Sequence, residues 1–496
     1  MIIQDLSSQK EFFKNIKTPI FGAGVFAFNR LGLEDIAVDY RLLCLRYSLD
    51  TALIEKDLEV FSLEKGMATK HIREPRNATT VIKLPQTARY LKKFKKPAIV
   101  VYKSSSKMEQ ICRDNDWILI APPVKFGKDL FENKIKFRMI LQQLGIAAPE
   151  GAIKKVKDLH YGQLLNAYGL PFVIQHPGRG GGKGTFFIHN KDDFETALKK
   201  LKFRITDDEE IEPDRVKQVI VAKFISGPSP SIAGCATRHG IISTCPQYQI
   251  LDIPQLFNSK KGSGLFCGHD WTASKFSDNI LKQAYDYVEK VGSYFQSQGY
   301  KGIFGLDFVM DENSQKLYVV EANPRLIGQF PTLSMAQSLN KEPSLLGFHV
   351  LEYLNADYQI DLAKINQSMR QQKQGAHMFM HNLTERWTLN YTAIKPGIYK
   401  LNNEHIKYQR AGYKLQHLKD QDEFLVTEGV PIKKSHFSPN RRLCRILTLQ
   451  KVLKKHNQLT PWAYQIISSV YQALKIKPVR LVKIKKFFFP NFLAKG

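Results

Sequence analysis

The spacing of apolar and polar positions divides the chain into strands, helices and turns before any chemistry is considered. Over residues 1–128, short apolar runs stand apart: Pro19-Ile20-Phe21, then 42–45, 98–102 and 117–120. Helical or loop segments separate them, the order expected of a doubly wound α/β domain. From Phe131 to Leu141 the apolar positions have helical spacing, and Gly145 supplies the stop. Residues 171–188 read strand, glycine loop, strand, and residues 217–250 continue the β pattern. Residues 277–298 predict an amphipathic helix burying Ile280, Ala284, Val288 and Val291. Two strands follow, over 302–310 and 317–325, joined by a turn at 311–316. Residues 346–370 are mixed and helical. Turns at Pro396-Gly397 and Ala411-Gly412 predict a small β-rich domain over 384–450, within a mixed C-terminal region 346–450, and residues 451–496 read as a basic helical tail.

The hairpin carries the sharpest chemistry. Closed about Ser314, it sets Asp307 opposite Glu321, and two carboxylates paired across a ladder repel. Strand alternation puts Asn323 on the face of Glu321, with Leu317 and Val319 expected beside them. Three oxygen-bearing side chains on one face suit a hard divalent cation such as Mg²⁺, which takes one or two carboxylates together with substrate phosphates. A half-exposed hairpin with scattered polar residues is the plainer alternative.

Other segments point toward phosphate. Between its two strands the glycine loop runs Gly178-Arg179-Gly180-Gly181-Gly182-Lys183-Gly184. Glycines let backbone N–H groups approach phosphate oxygens. The loop is not a P-loop, because Gly184 replaces the expected Ser or Thr and a strand follows. Lys134 and Lys136 stand in the first turn of a helix, where the dipole disfavours cations unless they meet an anion. The loose GxGxxA match at residues 22–27 is read as a close-packed strand-to-helix turn, since no acidic partner follows at the dinucleotide-binding distance.

Composition adds compartment and partner. The six cysteines are dispersed without CxxC spacing, which fits a reducing, cytoplasmic setting and suggests neither zinc nor a redox dithiol. No secretory signal or membrane-length apolar run is visible. The net charge of +27 is uneven, because no Asp or Glu follows Glu428 while 15 Lys or Arg do. The lysines and phenylalanines after Leu474 suit an anionic membrane surface, a peripheral membrane location, or RNA; a docked C-terminal helix or strand with solvated lysines is the alternative.

In this order the segments resemble the ATP-grasp superfamily, in its carbamoyl-phosphate-synthetase-like and biotin-carboxylase-like branches. The resemblance covers residues 95–345, and Glu321-Ala322-Asn323-Pro324-Arg325 is its most specific part. It implies a pre-ATP-grasp domain over 1–128 and an ATP-grasp domain over 129–345, with its lid at 166–226. It implies ATP with Mg²⁺ or Mn²⁺ on Asp307, Glu321 and Asn323. Catalytic roles would fall to Arg325 and Lys183. Lys134, Gln175, Gly180, Gly181, Gly182, Lys183 and the hinge Ala222-Lys223-Phe224 would meet the nucleotide.

The implied activity is an ADP-forming ligase. It would activate a small-molecule or peptide carboxylate as an acylphosphate and join it to an amine or similar nucleophile. The chain departs from the family pattern at Gln175, where a cation is common, at Ala222, where the hinge has Glu, and at Ser229, near where a ribose-binding acid is expected. Those departures keep open a nucleotide-binding regulatory or scaffold protein with altered catalysis.

Overall fold

A computed structural model describes residues 1–66, 77–180, 182, 184–205, 211–213, 216–258 and 264–479. Lys183 and Gly181 of the glycine loop, and residues 480–496 of the basic tail, lie outside the described residues.

The N-terminal strands form a parallel sheet in the order Val60–Ser62, Arg41–Cys44, Ile20–Gly24, Ala98–Val100, Ile118–Ile120. Both faces are covered, which explains the continuous apolar runs. Phe21, Leu43 and Ile99 enter one core, while Ile20, Leu42 and Val100 enter another. The strand order reverses at Ile20–Gly24, and in such sheets ligands sit beyond the carboxyl ends at the reversal. Residues 25–30 and Tyr102-Lys103 leave the sheet there. Gly22 and Gly24 belong to the strand itself. A Cβ on Gly22 would lie 2.7 Å from Arg30 Cβ, so close packing explains that glycine.

The lid is a four-stranded antiparallel sheet ordered Gly151–Lys155, Gln218–Lys223, Phe172–Gln175, Thr185–Ile188. It therefore begins earlier in the chain than residue 166. Helices Tyr161–Tyr168 and Lys191–Leu201 cover it through Leu164, Phe194 and Leu201.

Among the described residues, the remaining long strands join one eleven-stranded sheet. From the hairpin it runs Lys316–Asn323, Gly302–Asp311, Pro230–Thr237, Gln247–Leu251, Phe266–Asp270, Ala376–His381, Arg442–Thr448, Phe424–Thr427, Gly397–Asn402, His405–Arg410. Gly240–Ser243 pairs beside Pro230–Thr237. The C-terminal strands thus extend the ladder that starts at the hairpin rather than making a sheet of their own. The local turns at 396–397 and 411–412 could not show this, because the joining pair, Phe266–Asp270 with Ala376–His381, is distant in sequence.

One face of the sheet packs on helix Asp278–Ser297, whose Ile280, Ala284, Val288 and Val291 are buried and whose N-cap is Ser277. The opposite face, carrying Ala233, Cys235 and Ile303, meets the N-terminal sheet and helix Leu345–Leu354.

The first part of the basic tail is docked. A short hairpin, Leu453–Lys455 with Gln458–Leu459, precedes helix Pro461–Leu474. Ile466, Ile467 and Val470 of that helix are buried against Met378 and Phe424. Ile476–Pro478 then pairs antiparallel with Thr388–Asn390. The apolar face of that helix is spent on the core, while Phe487, Phe488 and Phe489, on which the membrane and RNA readings rest, lie outside the described residues. No helix of the described residues is long and apolar enough to cross a membrane. All six cysteines are free and buried.

N- and C-terminal regions are clamped by buried charge. Glu428, 1% exposed in its side chain, pairs with Arg445 and with Arg442 at 2.6 Å, and accepts from Asn29 Nδ2 at 2.6 Å. Burial alone would raise the Glu428 carboxyl, but Arg445 and Arg442 prevail and hold it at about 2. A carboxyl depressed on folding contributes stability that is present above its ordinary 4.5 and lost as pH falls toward that lower value. Replacing Glu428 by Gln should therefore cost about 3–5 kcal/mol at neutral pH, by stranding Arg445. Urea denaturation should show the gap between wild type and variant shrinking as the pH is lowered from 4.5 toward 2.

Candidate active site

The hairpin does not keep one register throughout. From Asp311↔Lys316 to Phe308↔Val319 the pairing is regular, then it shifts, and Asp307 faces Glu321. Val320 is the extra residue of a β-bulge, and the bulge reverses which face each later side chain takes. Leu317 and Val319 are therefore buried in the core with Phe308 and Met310, on the far side from Glu321. The expectation that they flank the carboxylates fails for this reason. Asp307, Glu321 and Asn323 do share a face. Asp307 Oδ2 accepts from Asn323 Nδ2 at 2.8 Å, and Oδ1 accepts from Gln249 Nε2 at 2.5 Å. Burial, then the Glu321 carboxylate, pushes the Asp307 carboxyl up.

Lys134 explains its own place in the helix. Asn133 caps the N-terminus by accepting from the Ile135 and Lys136 backbone N–H groups. Lys134 is 4% exposed, and its Nζ lies 2.9 Å from Glu321 Oε2. The same Nζ donates to Arg179 O at 3.0 Å, and the Lys134 backbone N–H donates to Pro177 O at 2.9 Å. One lysine thus joins the glycine loop to the carboxylate face. Lys136 instead points outward and donates to Asp129 O.

Arg325 is the second cationic tie. It donates from Nη2 to Asn323 Oδ1 at 2.7 Å, from Nε to Glu132 Oε1 at 2.9 Å and from Nη1 to Tyr102 Oη at 2.5 Å. Lys103 pairs with the other oxygen of Glu132. Burial opposes the Glu132 charge, yet Arg325 and Lys103 hold its carboxyl below the ordinary range. The end of the N-terminal sheet, the turn before Lys134 and the hairpin are linked by this one network.

The glycine loop reaches over the same face. Gly182 has φ +77°, and a Cβ there would lie 2.1 Å from Gly264 O. His176 N–H donates to Gly184 O at 2.8 Å, closing the base of the loop. Gln175 lies between Thr185 and Ile220 in the lid sheet. Ala222 is buried opposite Gly151 and Val173. Lys223 N–H donates to Glu150 O at 2.8 Å, and Phe224 makes an edge contact with Phe187 at 5.4 Å. The hinge chain then meets the hairpin, where Met310 N–H donates to Pro228 O at 3.0 Å. The lid residues are therefore joined to the hairpin at two points, to its carboxylate face through Lys134 and to the Met310 backbone through this hinge. Gly180 is in the loop beside Arg179; Gly181 and Lys183 are not among the described residues.

Sequence reasoning overlooked Tyr102, Lys103, Glu132 and Gln249. For the first two a signal existed, since both follow a parallel strand at its carboxyl end. Glu132, next to the helix cap, could have been read as a partner for Arg325 only with the fold in hand. Gln249 had no local signal.

The donor set fits a hard divalent cation: two carboxylates that repel each other and an amide, on one face. Among the described residues, no cluster of three or more His, Cys, Asp or Glu side chains suited to a metal occurs.

A lid sheet hinged on a larger sheet, with a glycine loop above paired carboxylates, defines an ATP-grasp arrangement. Residues 131–329 match the family model of the ATP-grasp domain, and this stretch of the chain is an ATP-grasp domain. The carbamoyl phosphate synthase large chain of Clostridium perfringens (strain 13 / Type A) is 23% identical over 329 residues, covering 64% of this chain and 28% of that protein. This chain therefore spans little more than a quarter of that relative's length. The D-alanine–D-alanine ligase of Fusobacterium nucleatum subsp. nucleatum is 27% identical over 191 residues, 38% of this chain and 55% of that one. The biotin carboxylase of Campylobacter jejuni, solved as a β,γ-ATP complex, has a TM-score of 0.55 at 12% identity, covering 87% of each chain. That likeness shows a shared fold.

Closure of the loop requires bare backbone at Gly182. Gly182→Ala should weaken nucleotide binding by about five- to tenfold, because a Cβ at positive φ costs about 1 kcal/mol or more even before it meets Gly264. Calorimetric titration with a non-hydrolysable ATP analogue checks this.

Proposed function

We propose that the chain is an ATP-dependent ligase that activates a carboxylate as an acylphosphate and joins it to an amine, releasing ADP and phosphate. The carrying observation is the convergence of Asp307, Glu321 and Asn323 on one face beneath the glycine loop, with Lys134 bound to both. The relatives support this reading: one is named a D-alanine–D-alanine ligase, another a carbamoyl phosphate synthase large chain. A solved neighbour of the same fold, a biotin carboxylase domain from Hydrogenobacter thermophilus, carries MgADP.

Phosphoryl transfer asks a protein for positioning and charge neutralisation more than for covalent chemistry. A carboxylate oxygen of the acid attacks the γ-phosphorus, and the bond to the β-bridging oxygen breaks as ADP leaves. The amine nitrogen then attacks the acyl carbon, phosphate departs and the nitrogen gives up a proton. Magnesium held by Asp307, Glu321 and Asn323 would offset negative charge on the phosphate oxygens.

The remaining work falls to side chains. Lys134 holds the loop against the carboxylate face, so it couples nucleotide enclosure to charge neutralisation. Arg325, braced by Glu132 and Tyr102, keeps a guanidinium beside Asn323, where a phosphoryl group would lie. Burial lowers its proton affinity, but Tyr102 and Glu132 outweigh this and keep it charged. Backbone N–H groups of the glycine loop are the expected phosphate donors. Gln175 brings no charge, so cationic contact with the phosphates rests on Lys134 and on the loop.

Glu321→Gln should cut ADP formation by about a hundredfold or more while leaving the fold intact. Phosphate release from ATP with pooled carboxylates and amines, alongside circular dichroism, measures both; unchanged turnover would reject the metal assignment.

A further inference from the structure

The face that carries Asp307 does not end there. Strand register continues it as a buried polar row: Glu321 opposite Asp307, Asp307 opposite Ser231, Ser231 opposite Gln247. Two residues along, Gln249 is opposite His269, and His269 is opposite His377. Buried polar groups are normally satisfied, so those left without partners ask for a ligand.

Two such groups lie beside Asp307. Gln247 and Gln329 are 0% and 1% exposed, and both donate from Nε2 to the same Ser231 Oγ, at 2.7 and 3.2 Å. Neither Oε1 has a hydrogen-bond partner. One serine hydroxyl has a single hydrogen, so whichever way the amides are turned it can satisfy at most one amide oxygen. At least one buried acceptor here needs an N–H.

Farther along the row the polarity reverses. Arg445 donates from Nη1 to Thr332 Oγ1 at 3.2 Å. A guanidinium cannot accept, so the arrangement that leaves no buried group unsatisfied has the Thr332 hydroxyl donating to its other contact, His377 Nδ1 at 2.8 Å. His377 then carries its proton on Nε2 and donates to His269 Nδ1 at 3.3 Å. His269 is left with Nε2–H, for which no acceptor occurs among the described residues. Burial, with Arg445 nearby, lowers both imidazoles, so each ring is neutral and carries a single proton. His269 Cε1 would lie 3.8 Å from a Cβ on Gly328, which puts the ring against the segment that carries Gln329.

A charged donor completes the set. Arg30 leaves the N-terminal sheet at its reversal point, and its guanidinium makes no ion pair or side-chain hydrogen bond among the described residues; its buried Nε is unpartnered. It shares the ring of Tyr102 with Arg325, at 5.8 and 5.0 Å from the ring centre. Segment 30–32 lies against Ser334, on the helix that begins with Thr332. Unpaired guanidinium and imidazole N–H call for an oxyanion, whereas the amide oxygens call for N–H groups.

From this pairing we propose that the row seats an amino acid as the nucleophile of the ligase, its amino group on the Gln247 and Gln329 oxygens beside Asp307 and its carboxylate on Arg30 and His269 Nε2–H. The assignment rests on the ligase reading above and narrows its amine.

The test is calorimetric titration of the full chain saturated with magnesium and a non-hydrolysable ATP analogue. The probes are L- and D-amino acids added singly, each with its decarboxylated amine and its N-acetyl derivative. At least one amino acid should bind about tenfold or more tightly than both derivatives. Arg30→Met should erase its advantage over the amine and spare its advantage over the acetyl form, whereas Arg30→Lys should keep part of both. Gln329→Leu should do the reverse of Arg30→Met. A purely structural role for these residues would move all three ligands together. Loss of analogue binding in the wild type would overturn the ligase reading, and this site with it. Normal analogue binding with no amino acid bound, or an amine bound as tightly as its amino acid, would overturn the amino-acid site alone.

Discussion

A strand that serves two environments is bound by strict alternation, and the single extra residue at Val320 is what releases it. Before the bulge, the strand must feed Leu317 and Val319 into a core built on Phe308 and helix Asp278–Ser297. After it, Glu321 and Asn323 must reach the opposite face, where Asp307 waits. In a regular ladder Glu321 would enter the apolar core, and an unpaired buried carboxylate costs several kcal/mol there. The bulge lets one strand hold the hairpin to its helix and deliver its carboxylate to the site. Each feature of the site then inherits its position from this register.

Two carboxylates placed face to face would separate without cations around them. Lys134 and Arg325 are so placed, and both are drawn from outside the sheet's own strands. Each does two jobs, because each also ties a neighbouring segment: Lys134 the glycine loop, Arg325 the end of the N-terminal sheet through Glu132 and Tyr102. Repulsion at the hairpin is thereby turned into attachment of the lid and the leading domain. This is also why a lysine is kept in the first turn of a helix against the dipole: the nearby carboxylate outweighs a fixed half-charge.

Local features of the sequence announced local features of the structure. The parallel strands, helix Asp278–Ser297, the hairpin at 302–323 and the glycine loop between two lid strands all follow from period and turn residues within a short window. What escaped depends on register between distant strands. The bulge needs the core partner of Val319 to be known. The extension of the sheet to His405–Arg410 needs the pairing of Phe266–Asp270 with Ala376–His381. Tyr102 and Glu132 look ordinary until Arg325, some two hundred residues later, bridges them. The docking of helix Pro461–Leu474 was illegible for a related reason: positive charge is plain in composition, while burial of Ile466, Ile467 and Val470 is not.

The polar row from Glu321 to Arg445 also bears on how such a site works electrostatically. Dipoles that are fixed before a substrate arrives need not reorganise as charge develops, and that is worth more in a buried site than in water. Here the fixing is done by groups that cannot reverse their role. Arg445, pinned by Glu428, can only donate, and this leaves the Thr332 hydrogen for the chain through His377 and His269. Glu428 in turn is held by Asn29, one residue before Arg30. The clamp between the terminal regions and the polarity of the row are therefore the same structural element.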